Sequence, residues 1–294
     1  MSKNEKLYML MAFTGNAIFG FSFLFSKLAL DIAEPLVLLA VRFSVAFILM
    51  NILYLFKLVD LKLKGKDLKP LIVLGLMQPV LYFICESYGI KLSSSSFAGI
   101  IISLAPIAGL ILAYIFLKER MSLKQIIYSI VSVLGVIIIS YNGELGGTKM
   151  LGLLFLLGAV FFGSMFSVQS RKIANDYTAF ERTYVMFMIG MIVFVPMALI
   201  KTGFNSSLWL VPLSNLQFWI SIIYLSCISS VGAFMLLNKA LDVLPASRSL
   251  VFANVTSVIS VLAGVIILKE AINLIQVIGI VLVLIGVYKV NQLN

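Results

Sequence analysis

The sequence predicts an all-α, polytopic membrane protein of ten transmembrane helices, arranged as two inverted five-helix repeats. Three observations lead to this fold class: the composition, a series of long apolar runs, and a tract that recurs near the end of the chain. Hydrophobic residues make up 62% of the 294 residues, charged residues make up 12%, and the mean hydropathy is +1.12. These values lie outside the range of water-soluble domains, so we expect the chain to fold in a lipid bilayer.

Ten runs along the chain are long and apolar enough to cross a membrane. A helix needs about 20 largely apolar residues to cross about 30 Å of hydrocarbon. The runs, called spans 1 to 10, cover residues 7–29, 35–57, 68–91, 94–117, 122–141, 150–173, 181–201, 216–239, 246–268 and 272–290. Span 1 is too long for the apolar region of a signal peptide and lacks a following cleavage site. Barrel strands would be about ten residues long and would alternate in polarity, which these runs do not.

One tract occurs twice, at Ile115–Val136 and, 151 residues further on, at Ile266–Val287. The two copies share nine identical residues in 22 aligned positions, including Leu-Lys-Glu at residues 117–119 and 268–270. Apolar bias does not supply such a motif, so the tract indicates a fused duplication. Spans 5 to 9, an odd number of crossings, separate the copies, and the second repeat is therefore inverted, as in many secondary transporters. We predict the repeats at residues 1–141 and 150–290.

The basic residues predict the orientation in the membrane. With a cytoplasmic N-terminus, 16 of the 22 lysines and arginines lie inside, five lie outside, and Arg42 lies within span 2. The positive-inside rule therefore places both termini in the cytoplasm, and we expect the protein in the cell inner membrane. This topology accounts for the net charge of +10. The basic residues are scattered and have no interleaved aromatic platform, so nucleic-acid binding is not expected.

Several short motifs follow one another in a recognisable order. They are Phe19-Gly20-Phe21-Ser22 with Lys27, Arg42-Phe43, the small-residue hairpin at Tyr88–Ser96, Pro106, and Lys118-Glu119-Arg120. With these motifs the whole chain resembles the ten-helix drug/metabolite transporter (DMT) superfamily, in particular its EamA-type members, which are built as two five-helix repeats. The second half departs from the family pattern at Ser257, which replaces the proline matching Pro106, and at Arg248, where the hairpin is usually small.

Ionisable side chains deep in a span mark candidate functional positions. Glu86 is the one acidic residue well inside a span, and it shares a polar stripe of span 3 with Gln78 and Tyr82, at intervals of four residues. Arg42 and Glu86 both lie about 10 Å below the outer surface, given a rise of about 1.5 Å per residue. Glu86 is thus a candidate for binding a proton or a substrate amine. Alternatively, Arg42 and Glu86 form a structural ion pair, and the two roles can also combine.

Symmetry between spans 4 and 9 supplies further candidates. Ser96, Gly99, Ser103 and Pro106 share a face of span 4, and the matching positions of span 9 are Ser247, Leu250, Asn254 and Ser257. Substrate sites of inverted-repeat transporters lie near the midplane at the repeat interface, although small residues also serve close helix packing. The complete predicted substrate-binding set is Asn16, Gln78, Tyr82, Glu86, Ser103, Gln169, Tyr224, Asn254 and Ser257.

The same residues bound the function. No Gly-x-x-x-x-Gly-Lys-Ser/Thr motif is present, so we expect a secondary carrier, with protons as the favoured coupling ion and no cofactor. Histidine is absent and no paired aspartates or metal cluster are visible, which disfavours an enzyme. Phosphorylated substrates are disfavoured because, apart from Arg248, the stripes of spans 4 and 9 carry no basic residue.

Amino acids and related small metabolites fit this pattern better, and the resemblance implies that they are exported. Drug or toxic-cation efflux by the same fold, and a non-transporting receptor or scaffold, are the alternatives. The expected partners are a small-molecule solute and membrane lipid. A homodimer stays open, since Gly279 and Gly286 on span 10 would permit a close helix contact.

Overall fold

The computed structural model describes residues 3–117, 122–141, 150–244, 249, 252–270 and 273–292, and this part of the chain is helical with no strand. Seven helical segments are long and apolar enough to cross a membrane: Lys6–Leu30, Pro35–Leu55, Lys69–Lys91, Ser95–Phe116, Met150–Lys172, Ala179–Thr202 and Leu216–Leu241. Shorter apolar helices, Ile126–Gly135, Val255–Ile266 and Val277–Gly286, lie in spans 5, 9 and 10. Every predicted span therefore contains a helix, which confirms the predicted fold class.

The first half contains seven α-helices and one π-helical segment among its described residues. They are α1 (Lys3–Leu30), α2 (Pro35–Leu55), α3 (Lys69–Gly75), the first π segment (Leu76–Leu81), α4 (Tyr82–Lys91), α5 (Ser95–Ile102), α6 (Ala105–Leu117) and α7 (Leu123–Tyr141). Proline at the first turn opens α2, where the missing N–H costs nothing. Ser94 caps α5 by accepting a hydrogen bond from the N–H of Phe97.

The second half repeats this order and adds a short helix. It comprises α8 (Met150–Lys172), α9 (Ala179–Thr202), α10 (Ser207–Leu213), α11 (Leu216–Ile223), the second π segment (Tyr224–Ala233), α12 (Phe234–Leu241), α13 (Ala253–Ile266) and α14 (Leu274–Gln292). Thr178 and Glu181 form a capping box at the start of α9, and Gly203, in the left-handed region at φ 58°, ends it.

Two spans of the first half are interrupted near their middle. In span 3, Gln78 leaves helical geometry at φ −145° and ψ 118°, immediately before Pro79. In span 4, α5 ends at Ile102 and α6 begins at Ala105, one residue before Pro106. Both breaks occur beside a proline, which cannot donate the helical hydrogen bond. They lie where Pro79 and Pro106 were expected to free backbone carbonyls.

The packing of α7 against α14 displays the repeat symmetry directly. A Cβ atom on Gly135 would lie 2.7 Å from the carbonyl oxygen of Gly279 and 2.8 Å from the nitrogen of Val283. A Cβ on Gly286 would meet Tyr128 and Ser132 just as closely, and these are the positions 151 residues before Gly279 and Val283. The close helix contact expected of Gly279 and Gly286 is therefore made within the chain.

A second close contact joins α5 to α13 across the repeats. Ser257 Oγ donates to the carbonyl of Gly99 at 2.6 Å, and Ser260 Oγ donates to the carbonyl of Ser95 at 2.9 Å. At the end of this contact, the carboxylate of Glu270 accepts the backbone N–H groups of Ser95 and Ser96, each at 2.9 Å. Glu270 of the repeated Leu-Lys-Glu motif thus caps α5, while residues 118–120 of the first copy lie outside the described residues.

Candidate functional site

A buried cavity of about 90 Å³ lies between the two repeats. Its walls come from α1, α2, α4, α5, α6, α8, α12, α13 and both π segments. The lining residues are Asn16, Phe19, Ser22, Phe23, Arg42, Gln78, Tyr82, Phe83, Glu86, Ile102, Ala105, Gly163, Phe166, Ser167, Ser229, Phe234, Leu237, Ala253 and Thr256. The cavity therefore combines an aromatic wall with a small number of polar groups.

The cavity lies on the axis that relates the repeats. Twelve lining residues form six pairs separated by 151 residues, the spacing of the duplicated tract: Asn16 and Ser167, Gln78 and Ser229, Phe83 and Phe234, Glu86 and Leu237, Ile102 and Ala253, Ala105 and Thr256. Equivalent positions meet around one space only if that space lies at the repeat interface. This is the position at which inverted-repeat transporters bind their solutes.

Arg42 is held in the cavity by groups from both repeats. Its side chain is buried, and its Nε donates to Ser230 Oγ at 3.0 Å while Nη2 donates to Ser229 Oγ at 3.3 Å. The guanidinium carbon lies 4.3 Å from the ring centroid of Phe83, a distance typical of a cation–π contact. Ser226 Oγ donates to the carbonyl of Arg42 at 2.9 Å. The second π segment thus orients this arginine from the opposite repeat.

Glu86 faces the same cavity from α4. The hydroxyl of Tyr82 donates to Glu86 Oε1 at 2.9 Å, as expected for side chains one helical turn apart. The salt bridges of the described residues do not include a pair between Arg42 and Glu86. The two opposite charges share the cavity without a direct contact, so the structural ion pair considered as an alternative is not formed here.

Polar groups of α1 connect the cavity to the second repeat. Asn16 donates to the carbonyl of Ala12 at 2.8 Å, and Thr256 Oγ1 donates to the carbonyl of Asn16 at 2.8 Å. Ser22 Oγ donates to Ser229 Oγ at 2.7 Å. These bonds fix the wall opposite Glu86 and leave its orientation dependent on both repeats.

The predicted site residues divide into two groups. Asn16, Gln78, Tyr82 and Glu86 line the cavity together with Arg42. Ser103 and Ser257 instead line a separate apolar space of about 200 Å³ between α5, α13 and α14. Tyr224 donates to the carbonyl of Ile18 at 2.9 Å and stacks on Phe25, and Gln169 is half-buried on α8; neither lines the cavity. The side chain of Asn254, and residues 247, 248 and 250, lie outside the described residues.

Sequence reasoning missed several polar groups of this cavity. Ser22, Ser167, Ser229 and Thr256 line it, yet serine and threonine are common in packed membrane helices and carry no signal individually. The repeat offset does carry one, because it leads from Gln78 to Ser229 and from Asn16 to Ser167. A search of the symmetry mates of the span 3 and span 1 candidates would have found both serines.

The chemistry of the cavity follows from its charges and its size. Arg42 offers a forked donor suited to a carboxylate, and Glu86 offers an acceptor suited to an ammonium group or a proton. Among the described residues, no cluster of histidine, cysteine, aspartate and glutamate that could hold a metal ion occurs. A space of about 90 Å³ holds a few water molecules, whereas small-molecule sites occupy about 300–1,000 Å³. The cavity must therefore widen before it admits an organic solute.

Comparison with known proteins places this arrangement in context. The model of the EamA-like transporter family matches residues 6–141 and 150–292. The uncharacterized transporter YcxC of Bacillus subtilis is 33% identical over 278 residues, which cover 93% of this chain and 89% of that protein. An uncharacterized transporter of Archaeoglobus fulgidus is 27% identical over 286 residues, covering 96% and 98% of the two chains.

A solved structure described as "Crystal structure of protein" shares the fold. It superposes with a TM-score of 0.70 at 19% sequence identity, covering 97% of this chain and 96% of the other. At this level of identity the similarity concerns the fold alone.

Proposed function

The chain belongs to the EamA-like transporter family, and on this premise we propose that it is a secondary active transporter that exports amino acids or related small metabolites. The observation that carries the proposal is the pair of opposite charges, Arg42 and Glu86, in one buried cavity at the repeat interface. An amino acid presents a carboxylate and an ammonium group on adjacent carbons, and the two side chains are chemically matched to them.

Efflux of a lipophilic cation is the second candidate. It is favoured by the aromatic wall of Phe19, Phe166 and Phe234 around Glu86, because aromatic faces and a carboxylate attract organic cations. Arg42 opposes it, since a buried guanidinium repels a solute that carries only positive charge. A zwitterion satisfies both charges, which is why we prefer it.

The proposed cycle exchanges two conformations around the cavity, with protons as the driving ion. Glu86 supplies the titratable group, since it is the one acidic residue that lines the cavity within the described part of the chain. The basic residues support an orientation with both termini in the cytoplasm of the cell inner membrane. In this orientation, release of the solute to the outside requires separation of α5 from α13 beyond the cavity.

Proton coupling is tested by transport in proteoliposomes. We expect Glu86→Gln to abolish amino-acid transport driven by a pH gradient, because glutamine keeps the size and the bond with Tyr82 but cannot carry a proton at neutral pH. Asp31→Asn is the control, since Asp31 is an exposed carboxylate paired with Lys27 at the membrane surface. Thermal unfolding verifies that both variants fold.

Substrate class is tested separately, by thermal stabilisation of the purified protein. A ligand that binds only the folded state raises the apparent stability by roughly 2.7 kcal/mol at a concentration one hundred times its dissociation constant. We expect zwitterionic amino acids to stabilise the protein more than lipophilic cations do. Wild-type, gradient-driven rates in Glu86→Gln would refute proton coupling through this residue, and stabilisation by cations alone would refute the amino-acid assignment.

A further inference from the structure

The segment that joins α2 to α3 alternates between apolar and basic residues. We call residues 56–68 the basic strap. Its side chains Val59, Leu61 and Leu63 are half-buried and pack against the core between α2 and α9, while Lys62 and Lys64 between them are exposed. The strap is therefore a built element, with one face on the protein and a lysine face directed away from it.

Two contacts fix the strap to the second repeat. The buried carboxylate of Glu181 accepts the backbone N–H of Lys62 at 3.1 Å and the ammonium group of Lys66 at 2.8 Å. The hydroxyl of Tyr177 donates to the carbonyl of Asp67. Because its far side is bound to α9 in this way, the exposed lysines are held in position and do not depend on a mobile loop.

Large apolar side chains accompany the lysines at the surface. Phe56 is 74% exposed and Leu58 is 69% exposed, on either side of the exposed Lys57. Leu55, the last residue of the membrane-spanning α2, is equally exposed. These residues stand where the helix leaves the bilayer, so their apolar groups are level with the boundary between acyl chains and headgroups. Lysine stems reach from that level toward phosphate groups.

The symmetry mate of the strap lacks this charge. Positions 151 residues further on include α10, which exposes Leu208, Leu210 and Val211 at the opposite face of the protein. The sequence from residue 203 to residue 219 contains no lysine, arginine, aspartate or glutamate. The apolar character of this connection is thus common to both repeats, whereas the lysines are specific to one face. Packing does not require them, and their function lies outside the chain.

We propose that the basic strap is a docking surface for anionic phospholipids, with Lys57, Lys62 and Lys64 contacting the phosphate groups and Phe56 and Leu58 lying among the acyl chains. Charge complementarity favours this partner, because the strap carries more lysine than carboxylate and its lysines face the headgroup layer. The flanking apolar residues favour a lipid over a soluble acidic protein. Each lysine close to an anionic membrane surface is expected to contribute about fivefold in affinity.

The test measures the lipids that stay bound to the purified protein. The full chain is reconstituted in vesicles of equal parts phosphatidylglycerol and phosphatidylcholine and then extracted in mild detergent, and mass spectrometry gives the ratio of the retained lipids. We expect the wild-type protein to retain phosphatidylglycerol preferentially. In a variant with Lys57→Gln, Lys62→Gln and Lys64→Gln this preference falls by roughly tenfold or more. Replacement of the same lysines by arginine is expected to preserve it.

A matched control removes three lysines from the opposite face, as Lys27→Gln, Lys201→Gln and Lys269→Gln, and is expected to keep the wild-type preference. The proposal is overturned by equal retention of both lipids in the wild type, by an unchanged preference in the strap variant, or by an equal loss in the control. Should the strap variant not fold, the salt dependence of the wild type decides. A preference that does not fall with ionic strength would overturn the proposal, since screening weakens headgroup contacts.

Discussion

Arg42 is 1% exposed, and the bonds of its side chain go to serine hydroxyls rather than to a carboxylate. Burial of a charged group costs several kcal/mol, while hydrogen bonds to hydroxyls and a cation–π contact each return about 1–2 kcal/mol. The guanidinium is therefore only partly compensated in the empty cavity. A solute carboxylate supplies the missing negative charge, which makes Arg42 a candidate reader of that group.

The first residue-scale prediction concerns Arg42→Lys. Lysine keeps the charge but loses the planar fork that contacts Ser229, Ser230 and Phe83. We expect the KM for a zwitterionic amino acid to rise by roughly tenfold to a hundredfold, corresponding to about 1.5–3 kcal/mol for a hydrogen bond to a charged group. The KM for the methyl ester of the same amino acid, which lacks the carboxylate, is expected to change little. Transport assays with both compounds measure the difference.

Arg171→Lys provides the matched control, because Arg171 donates to the carbonyls of Leu241 and Asp242 and does not line the cavity. A parallel rise of KM for the amino acid and its ester in Arg42→Lys would contradict a specific contact with the carboxylate. It would instead indicate a general loss of cavity shape.

The predicted site was recovered where it depended on local spacing. Gln78, Tyr82 and Glu86 follow one another at intervals of four residues, and this periodicity places them on one face whatever the tertiary structure. The partners of Arg42 were not predictable in this way, since Ser229 and Ser230 lie 187 and 188 residues away and nothing in their local sequence marks them. The ion pair with Glu86 was considered because depth in the membrane was known and lateral position was not.

At the scale of elements, the contact between α5 and α13 closes the protein beyond the cavity. Ile102 and Ala253 line the cavity at one end of this contact, and Ser257, Ser260 and Glu270 bond to α5 progressively further from it. Small residues at Gly99 and Gly264 allow the helices to approach closely. Any route from the cavity to this face must separate these two helices.

The second prediction tests this contact through Gly264→Ala. A Cβ at Gly264 would overlap Ser96 Oγ and Glu270 Oε2, so Glu270 must leave the N–H groups of α5. We expect a loss of about 1–3 kcal/mol of stability, the usual cost of overpacking, seen as a lower apparent melting temperature. Gly232→Ala is the control, because its nearest neighbour would be the carbonyl oxygen of Cys227 at 3.6 Å. Equal melting temperatures for the two variants would count against a tight contact at Gly264.

The ten spans were predictable at this scale, but their interruptions were predictable only in part. Hydropathy reports the length of an apolar run and is insensitive to backbone dihedral angles. Pro79 and Pro106 marked two of the breaks. The second π segment, Tyr224–Ala233, contains no proline, and its serines bond to Arg42 and Ser22 from the other repeat. Its position beside these long-range bonds explains why no local sequence signal identified it.

At the scale of the whole molecule, the two repeats carry related charge pairs at opposite faces. Lys91 Nζ lies 2.8 Å from Glu34 Oε1 and joins the end of α4 to the start of α2, and both side chains are partly exposed. Asp242, 151 residues after Lys91, binds the fully buried Arg182 and joins the end of α12 to the start of α9. Arg182 also donates to the carbonyls of Ser170 and Asn238. The second pair is therefore expected to hold its face closed more strongly than the first.

The last prediction compares the opening of the two faces. Asp242→Asn leaves a buried arginine without its counter-charge, which typically costs about 3–5 kcal/mol, whereas Lys91→Gln breaks a partly exposed pair worth about 0–1 kcal/mol. The reporter is Ile102→Cys in the cavity of a chain that lacks Cys85 and Cys227, labelled by a membrane-impermeant maleimide from either side. We expect Asp242→Asn to increase labelling from the face that carries the start of α1, and Lys91→Gln to increase it weakly from the other face. Inverted repeats require this opposition, because equivalent elements close opposite ends of one pathway. Increased labelling from the same face in both variants would be incompatible with such an arrangement.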